Sequence, residues 1–169
     1  MRRNPLVADS LELAAIDRDH ARGTAFNMLF IAWRFHTHAI AARACVDLAE
    51  QLHSRFREGV GICTVVEADA IPPSATARKV IAELLRLPAV SHYSVTYEGA
   101  GFRAASFRAV VAGVHALGRS TCKHSVHKSL SLAAEWHAEQ QALLGRSETR
   151  LQIEKTMASL RARHREQYP

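Results

Sequence analysis

Three short runs of large apolar and β-branched residues, 27–35 (NMLFIAWRF), 61–66 (GICTVV) and 91–97 (SHYSVTY), are separated by two stretches of helical period. Parallel strands cannot be joined by a tight turn; each needs a crossover of a dozen residues or more, which a helix supplies. Alternation of this kind commits a chain to a mostly parallel sheet with helices packed on it. The continuous apolar character of GICTVV predicts a strand covered on both sides. SHYSVTY alternates polar and apolar residues and carries the β-branched and aromatic members that favour a strand.

The intervening stretches read clearly. Ala42, Cys45, Val46, Ala49, Leu52 and Phe56 recur at spacings of three and four, while Arg43, Asp47, Glu50 and Arg57 lie off that face. Gly59 and Gly61 end this helix. The turn Ile71-Pro72-Pro73-Ser74 leads into a second helix with Val80, Ile81, Leu84 and Leu85 on its buried face, closed by Pro88. Gly99-Ala100-Gly101 turns the chain into a third, with Phe102, Phe107, Val110, Val111, Val114 and Leu117 as its core side and Gly118 near its end.

Upstream, 11–17 (LELAAID) reads as a strand, and DHARGTA as a loop with Gly23 as its turn former. Downstream, Lys123 to Lys128 reads as a short strand. A helix then begins near Ser129 or Ser131, carrying Leu132, Ala133, Trp136 and Leu143. Past Gly145, Ser147 caps an amphipathic tail helix running through Leu151, Met157 and Leu160. The predicted order is β-β-α-β-α-β-α-β-α plus a tail helix. The fold class is α/β: a mixed, mostly parallel sheet with an opening strand pair. The chain divides into a tail (1–10), an α/β domain (11–144) and a C-terminal helix (145–169).

At 169 residues, 48% apolar and 22% charged, the chain can bury a core without metal or disulfide staples. Acidic Asp9, Glu12 and Asp17 interrupt the start, so no signal peptide is read there. No uncharged apolar run reaches the roughly 18–20 residues of a membrane span. The reading is a cytoplasmic protein. The net charge of +6 comes from arginines scattered along the chain, not gathered in a block, which argues against nucleic acid as the partner.

Cys45, Cys63 and Cys122 are odd in number and lack metal or redox spacing, so they read as inert thiols; only Cys122, beside Lys123 and His124, has cationic neighbours. Ten histidines include the pairs His36/His38 and His124/His127. The first pair would point to one side of a strand, as two ligands must, but no Asp, Glu or Cys completes a recognised set. The second pair would face opposite ways. Solvated or capping histidines are the expectation, with no metal and no cofactor.

Gly99-Ala100-Gly101-Phe102-Arg103-Ala104 satisfies G-x-G-x-x-A between a strand and a helix. The fingerprint belongs to the first strand of a βαβ unit with an acid about 20 positions on. Position 119 is Arg and no acid follows until Glu135, which leaves a tight turn as the plain reading. Glu67, Asp69 and Glu98 fall near the carboxyl ends of predicted strands, the edge where open α/β sheets bind ligands. Paired carboxylates could act as acid and base, yet no nucleophile motif accompanies them. Ser74 before the second helix reads first as an N-cap and second as a phospho-acceptor, whose added charge at a helix amino end would change which partner docks.

In the opening strand pair, NMLFIAWRF feeding a helix, GICTVVEADAIPPSATARKVIAELL and VTYEGAGFRAASFRAVVAGVHALGR, residues 11–140 resemble the STAS-like family of bacterial anti-sigma-factor antagonists and their divergent relatives. Phosphoswitch members carry an Asp-Ser-Ser/Thr-Gly motif at the start of the helix after this strand. Here the turn reads Asp69-Ala70-Ile71-Pro72-Pro73-Ser74-Ala75-Thr76, so Ser74 and Thr76 stand in place while the motif itself is absent. The resemblance implies a non-catalytic, regulatory protein-interaction module with its partner surface at Asp69, Ser74, Thr76, Arg78 and Lys79. The alternative is a small-ligand or lipid-binding domain with a pocket near Glu67, Glu98, Gly99, Gly101 and Arg103. A third reading is a small enzyme using Glu67 or Glu98. The tail helix either packs back on the domain or offers an oligomer or partner contact through its apolar stripe.

Overall fold

A computed structural model describes residues 11–101, 105, 109, 111–113 and 122–169. The predicted alternation is present. Six strands form one mixed sheet: β1 (Glu12–Ile16), β2 (His20–Ala25), β3 (Met28–Trp33), β4 (Val60–Val66), β5 (Val90–Tyr97) and β6 (Lys123–His127). Their spatial order is β1-β2-β3-β4-β5-β6. The pairs β1/β2 and β2/β3 are antiparallel, and the pairings from β3 through β6 are parallel.

Helices α1 (Ala39–Arg55) and α2 (Ala75–Arg86) cross between β3, β4 and β5 and cover one face. Helices α3 (Leu130–Leu143) and α4 (Arg150–Gln167) form an antiparallel hairpin on the other. Residues 101, 105, 109 and 111–113 are helical, in line with the third predicted helix. Phe102, Arg103, Ala104, Phe107, Val110, Val114, Leu117 and Gly118 lie outside the described residues.

The opening differs from the expected strand pair. His20–Ala25, read as a loop, is a full strand paired on both sides, Gly23 opposite Leu13 and Phe30. Its composition is poor in β-formers, and its two neighbours supply what propensity does not. Gly23 is not a turn former. A Cβ there would lie 2.7 Å from the Glu12 carbonyl oxygen, so the glycine permits close approach of β1. The β2–β3 turn is Phe26-Asn27, at the start of the apolar run 27–35, with Phe26 at φ 60°. Buried Asn27 holds it by donating to the Gly59 carbonyl at 2.8 Å.

The α1 face is as predicted: Ala42, Cys45, Val46, Ala49 and Leu52 are buried, with Phe56 packed partly against them. On α2, Val80, Leu84 and Leu85 are buried and Ile81 is partly so. On α3 Ala133 is buried as expected, but the rest of the inward face is a correction: Ala134, His137 and Gln141 point inward, while Leu132 and Leu143 are 49% and 69% exposed. The cap of α4 is Thr149, not Ser147, in a capping box with Gln152. Of the tail's apolar stripe, Met157 and Leu160 are buried against the sheet with Ile153 while Leu151 stays exposed, so the tail packs back on the domain. No helix among the described residues is long and apolar enough to cross a membrane.

Candidate functional site

The parallel ladder runs one residue past the strands. Glu67 N–H donates to the Trp33 carbonyl at 2.8 Å, and Glu98 N–H to that of Val66 at 3.0 Å. This aligns Glu67 and Glu98 on adjacent strand ends, as the sequence suggested. What they meet was not foreseen. Arg161 of α4 donates from NH1 and NH2 to the two Glu98 oxygens at 2.8 and 2.7 Å, and from Nε to Glu67 at 3.1 Å. Arg165 reaches Glu67 at 3.2 Å. Burial opposes the Arg161 charge, but Glu98 and Glu67 outweigh it and hold its pKa above the ordinary value. Both carboxylates are committed to guanidinium groups.

Two arginines of the tail's basic end, Arg161 and Arg165, thus bind the strand ends. Met157, Leu160, Arg161 and His164 follow helical spacing, which puts Arg161 on the inward stripe; that pattern was present in the sequence. His164 Nε2 bonds the Asp17 carbonyl at 2.7 Å, fixing the last turn of α4 to the β1–β2 turn.

Two depressions open on the carboxyl edge. One, of 460 Å³, is lined by Tyr97, Glu98, Gly99, Ala100, Gly101, Val126, His127 and Lys128. It gathers Glu98, Gly99 and Gly101 of the expected ligand pocket. Glu67 faces Arg161 instead, and Arg103 lies outside the described residues. The other, of 380 Å³, is lined by Arg18, Asp19, Phe35, His36, His38, Asp69 and Ile71. Asp19 bonds His38 Nε2 at 2.8 Å. The His36 and His38 rings lie 5.6 Å apart and 16° from parallel. Rings stacked this way carry their lone pairs in separate planes, which do not converge on one ion. Among the described residues no group of three or more His, Cys, Asp or Glu side chains could hold a metal.

Beside the second depression runs the turn singled out for partner binding. Ser74 caps α2, its Oγ accepting from Ala77 N–H at 3.2 Å. Arg78 reaches the Pro73 carbonyl at 3.5 Å. Asp69, Ser74, Thr76 and Lys79 are exposed, as are Ile71 (47%) and, beyond it, Ile40 at the start of α1 (86%).

The histidines depart most from expectation. His20, His92, His137 and His164 are at most 2% exposed. His20 lies against Trp33, ring centroids 4.9 Å apart, with Nδ1 2.9 Å from Asp17 and Nε2 2.6 Å from Arg22. Burial lowers its pKa despite Asp17. His92, His127 and His137 gather with Trp136 between β5, β6 and α3. All three cysteines are buried; burial pushes the Cys45 and Cys63 thiols up to about 12, so neither supplies a thiolate near neutral pH.

Among the described strands the crevice usual to this class has no counterpart. Ligands of open α/β sheets bind where the strand order reverses. Here the described strands follow sequence order from one edge to the other. Comparison with family models, curated proteins and solved structures returned no match.

Proposed function

We propose that this chain is a non-catalytic regulatory module, STAS-like in kind, that docks a protein partner at the turn 69–78 and the first turn of α2. The observation that carries this reading is the division of the carboxyl edge. Its would-be acid and base, Glu67 and Glu98, are bound by Arg161 and Arg165. The adjoining turn instead presents Asp69, Ile71, Thr76 and Lys79 to solvent, with no side-chain bond from them among the described residues. An exposed apolar side chain rimmed by charge, held on a proline-stiffened turn and a capped helix, is a docking surface rather than a reaction centre.

A photo-crosslinker at position 71 tests this. A single protein species should be captured by the 71 probe, lost in an Ile40→Asp background, and not captured by a probe at Leu143 on the far helix. Capture from both positions alike would sink the reading. Equal partner affinity for Ser74→Ala and Ser74→Asp would remove phosphorylation of Ser74 from it.

A second reading has its own support. The 460 Å³ groove lies where a small-ligand pocket was expected, with Lys128 and His127 on one wall and the Gly99–Gly101 backbone on the other. Native mass spectrometry of the purified chain separates the two. A co-purifying small molecule lost in Gly99→Val favours the ligand domain; a clean chain favours the partner module.

A further inference from the structure

The face of β5 turned to α3 carries His92, Ser94 and Thr96, and all three are buried. Beside them in register stand Lys123, Ser125 and His127 of β6. From above, α3 lowers Trp136, His137 and Gln141. The ring centroids of His92 and His137 are 5.0 Å apart, and Trp136 lies 5.9, 5.8 and 5.1 Å from those of His92, His127 and His137. Over β5 and β6 the helix is thus seated on the sheet through imidazoles, while its Leu130, Ala134 and Ala138 pack with the apolar cluster of β3, β4 and α4.

The hydrogen bonds define the charge state this packing requires. Ser91 Oγ donates its proton to the Val60 carbonyl at 3.1 Å, so toward His92 Nδ1, 2.9 Å away, it can only accept. Nδ1 therefore carries the ring proton and Nε2 the lone pair. That Nε2 lies against Gly61 of β4: a Cβ there would come within 2.4 Å of it. No group among the described residues bonds it, so a second proton there would meet no acceptor. His137 Nε2 is joined to Ser94 Oγ at 2.7 Å, and its Nδ1 likewise has no partner.

The charged and titratable groups around the seam do not favour imidazolium. The β6 strand offers Lys123 and His127, and β4 offers the neutral thiol of Cys63. From α4, Arg150 donates to Ser131 at 3.2 Å. On α3 itself, Glu135 and Glu139 are turned to solvent. Burial lowers the pKa of all three histidines, that of His92 to about 4 with Lys123 adding to the effect.

We propose that the α3–sheet contact is an acid-sensitive latch, closed while His92, His127 and His137 are neutral and released locally when they take up protons. The helix is the more lightly held of the pair, although Gln141 donates to Asn27 at 2.5 Å and Ala134 joins the apolar cluster of α4. Its inward residues beside His137 and Gln141 are the alanines Ala133 and Ala134, whereas α4 is held by Ile153, Met157, Leu160 and the Arg161 clamp. With His92 binding a proton near pH 4 when closed and near 6.5 when open, going from pH 7 to pH 5 multiplies the open-to-closed ratio about 20-fold through this residue alone. His137 and His127 act in the same direction.

Nuclear magnetic resonance of the full chain between pH 7.5 and 4.5 tests the latch. The expected result is that amides of residues 130–143 shift or broaden below about pH 6, together with the imidazoles of His92 and His137, while those of 39–55 do not. His92→Asn, which keeps a polar group near Ser91 without the second proton, and His127→Gln, at the more exposed position, should each move that midpoint to lower pH. If His92→Asn does not fold, His127→Gln and the wild-type imidazole titration decide. Imidazoles that titrate near 6.5 with α3 amides unmoved would overturn the latch, as would a midpoint that neither variant moves.

Discussion

The two faces of the one sheet are built by different rules. Toward α1 and α2, β3 to β5 present Leu29, Ile31, Ile62, Val66, Val95 and Tyr97, and both helices answer with aliphatic side chains. Toward α3 and α4 the same strands present Phe30, Met28, Cys63 and Val65, then give way across β5 to His92, Ser94 and Thr96. The first face is held by removal of apolar area from water, at about 1.5–3 kcal/mol for each large aliphatic side chain fully buried. The second is apolar beneath α4 and beneath Leu130, Ala134 and Ala138 of α3; beneath the rest of α3 it holds by imidazole contacts and hydrogen bonds between neutral groups. Burial alone does not separate the faces. Chemistry does: one core is aliphatic with a single imidazole, His20, at its rim against Trp33, and part of the other depends on imidazoles staying uncharged.

Substitution in the first face should have the largest effect and show no pH dependence. Ile62→Ala, at a fully buried β4 position, is expected to cost about 3 kcal/mol in urea unfolding. The cost should agree at pH 7.5 and 5.5. A markedly larger penalty at the lower pH would mean that the two faces are not separable.

Acidification acts on the second face through His92, His127 and His137, and on the rim of the first through His20, buried against Trp33. The native state keeps His92 neutral down to about pH 4, while the unfolded chain protonates it near 6.5. Unfolding therefore takes up protons in that window, so stability is complete above pH 6.5 and falls as pH drops toward 4. From pH 7 to 5 the loss through His92 alone is about 2 kcal/mol. Urea midpoints across this range should follow that slope, and His92→Asn should flatten it. An unchanged slope would assign the pH dependence to other groups, His20 first among them.

The two faces were unequally legible in the sequence. The α1/α2 side could be read because Ala42, Cys45, Val46, Ala49 and Leu52 keep helical period and strands of matching apolar character flank them. On α3, period and hydrophobicity disagree. The inward stripe is Ala133, His137 and Gln141, while Leu132 and Leu143 draw attention to the outer side. Histidine is amphipathic, so a single sequence does not separate a buried neutral ring from a solvated one; partners such as Ser94 lie 43 residues away. Likewise Glu67 and Glu98 could be placed on the carboxyl edge from strand ends alone, but Arg161, more than 60 residues later, decides what they do.

That clamp is the next test, since it ties the pH-independent half of the second face to the strand ends. Arg161→Met keeps the buried stem and removes the charge, leaving two neighbouring carboxylates short of their main partner. The expected cost is about 1–3 kcal/mol. Adding Glu98→Gln should restore part of it, because the repulsion goes with the charge. Full additivity of the two changes would show the ion pair to be energetically idle.

The smallest effects belong to the helix caps, and they sharpen the contrast most finely. Ser74 caps α2 on the aliphatic face, and Ser129 caps α3 over the imidazole seam, accepting from Leu132 N–H at 3.4 Å. Each replacement by Ala removes one acceptor from a first turn and should cost about 0.5–1 kcal/mol. The costs should surface differently. Because α2 is locked to its face by Val80, Leu84 and Leu85, Ser74→Ala should lower the global midpoint and leave amide exchange within α2 coupled to global unfolding. With α3 resting on alanines and histidines, Ser129→Ala should speed exchange in residues 130–143 more than it lowers the midpoint, and more so at pH 6 than at pH 7.5. If both caps act only on the midpoint, α3 opens no more readily than α2, and the two faces differ in composition without differing in how they come apart.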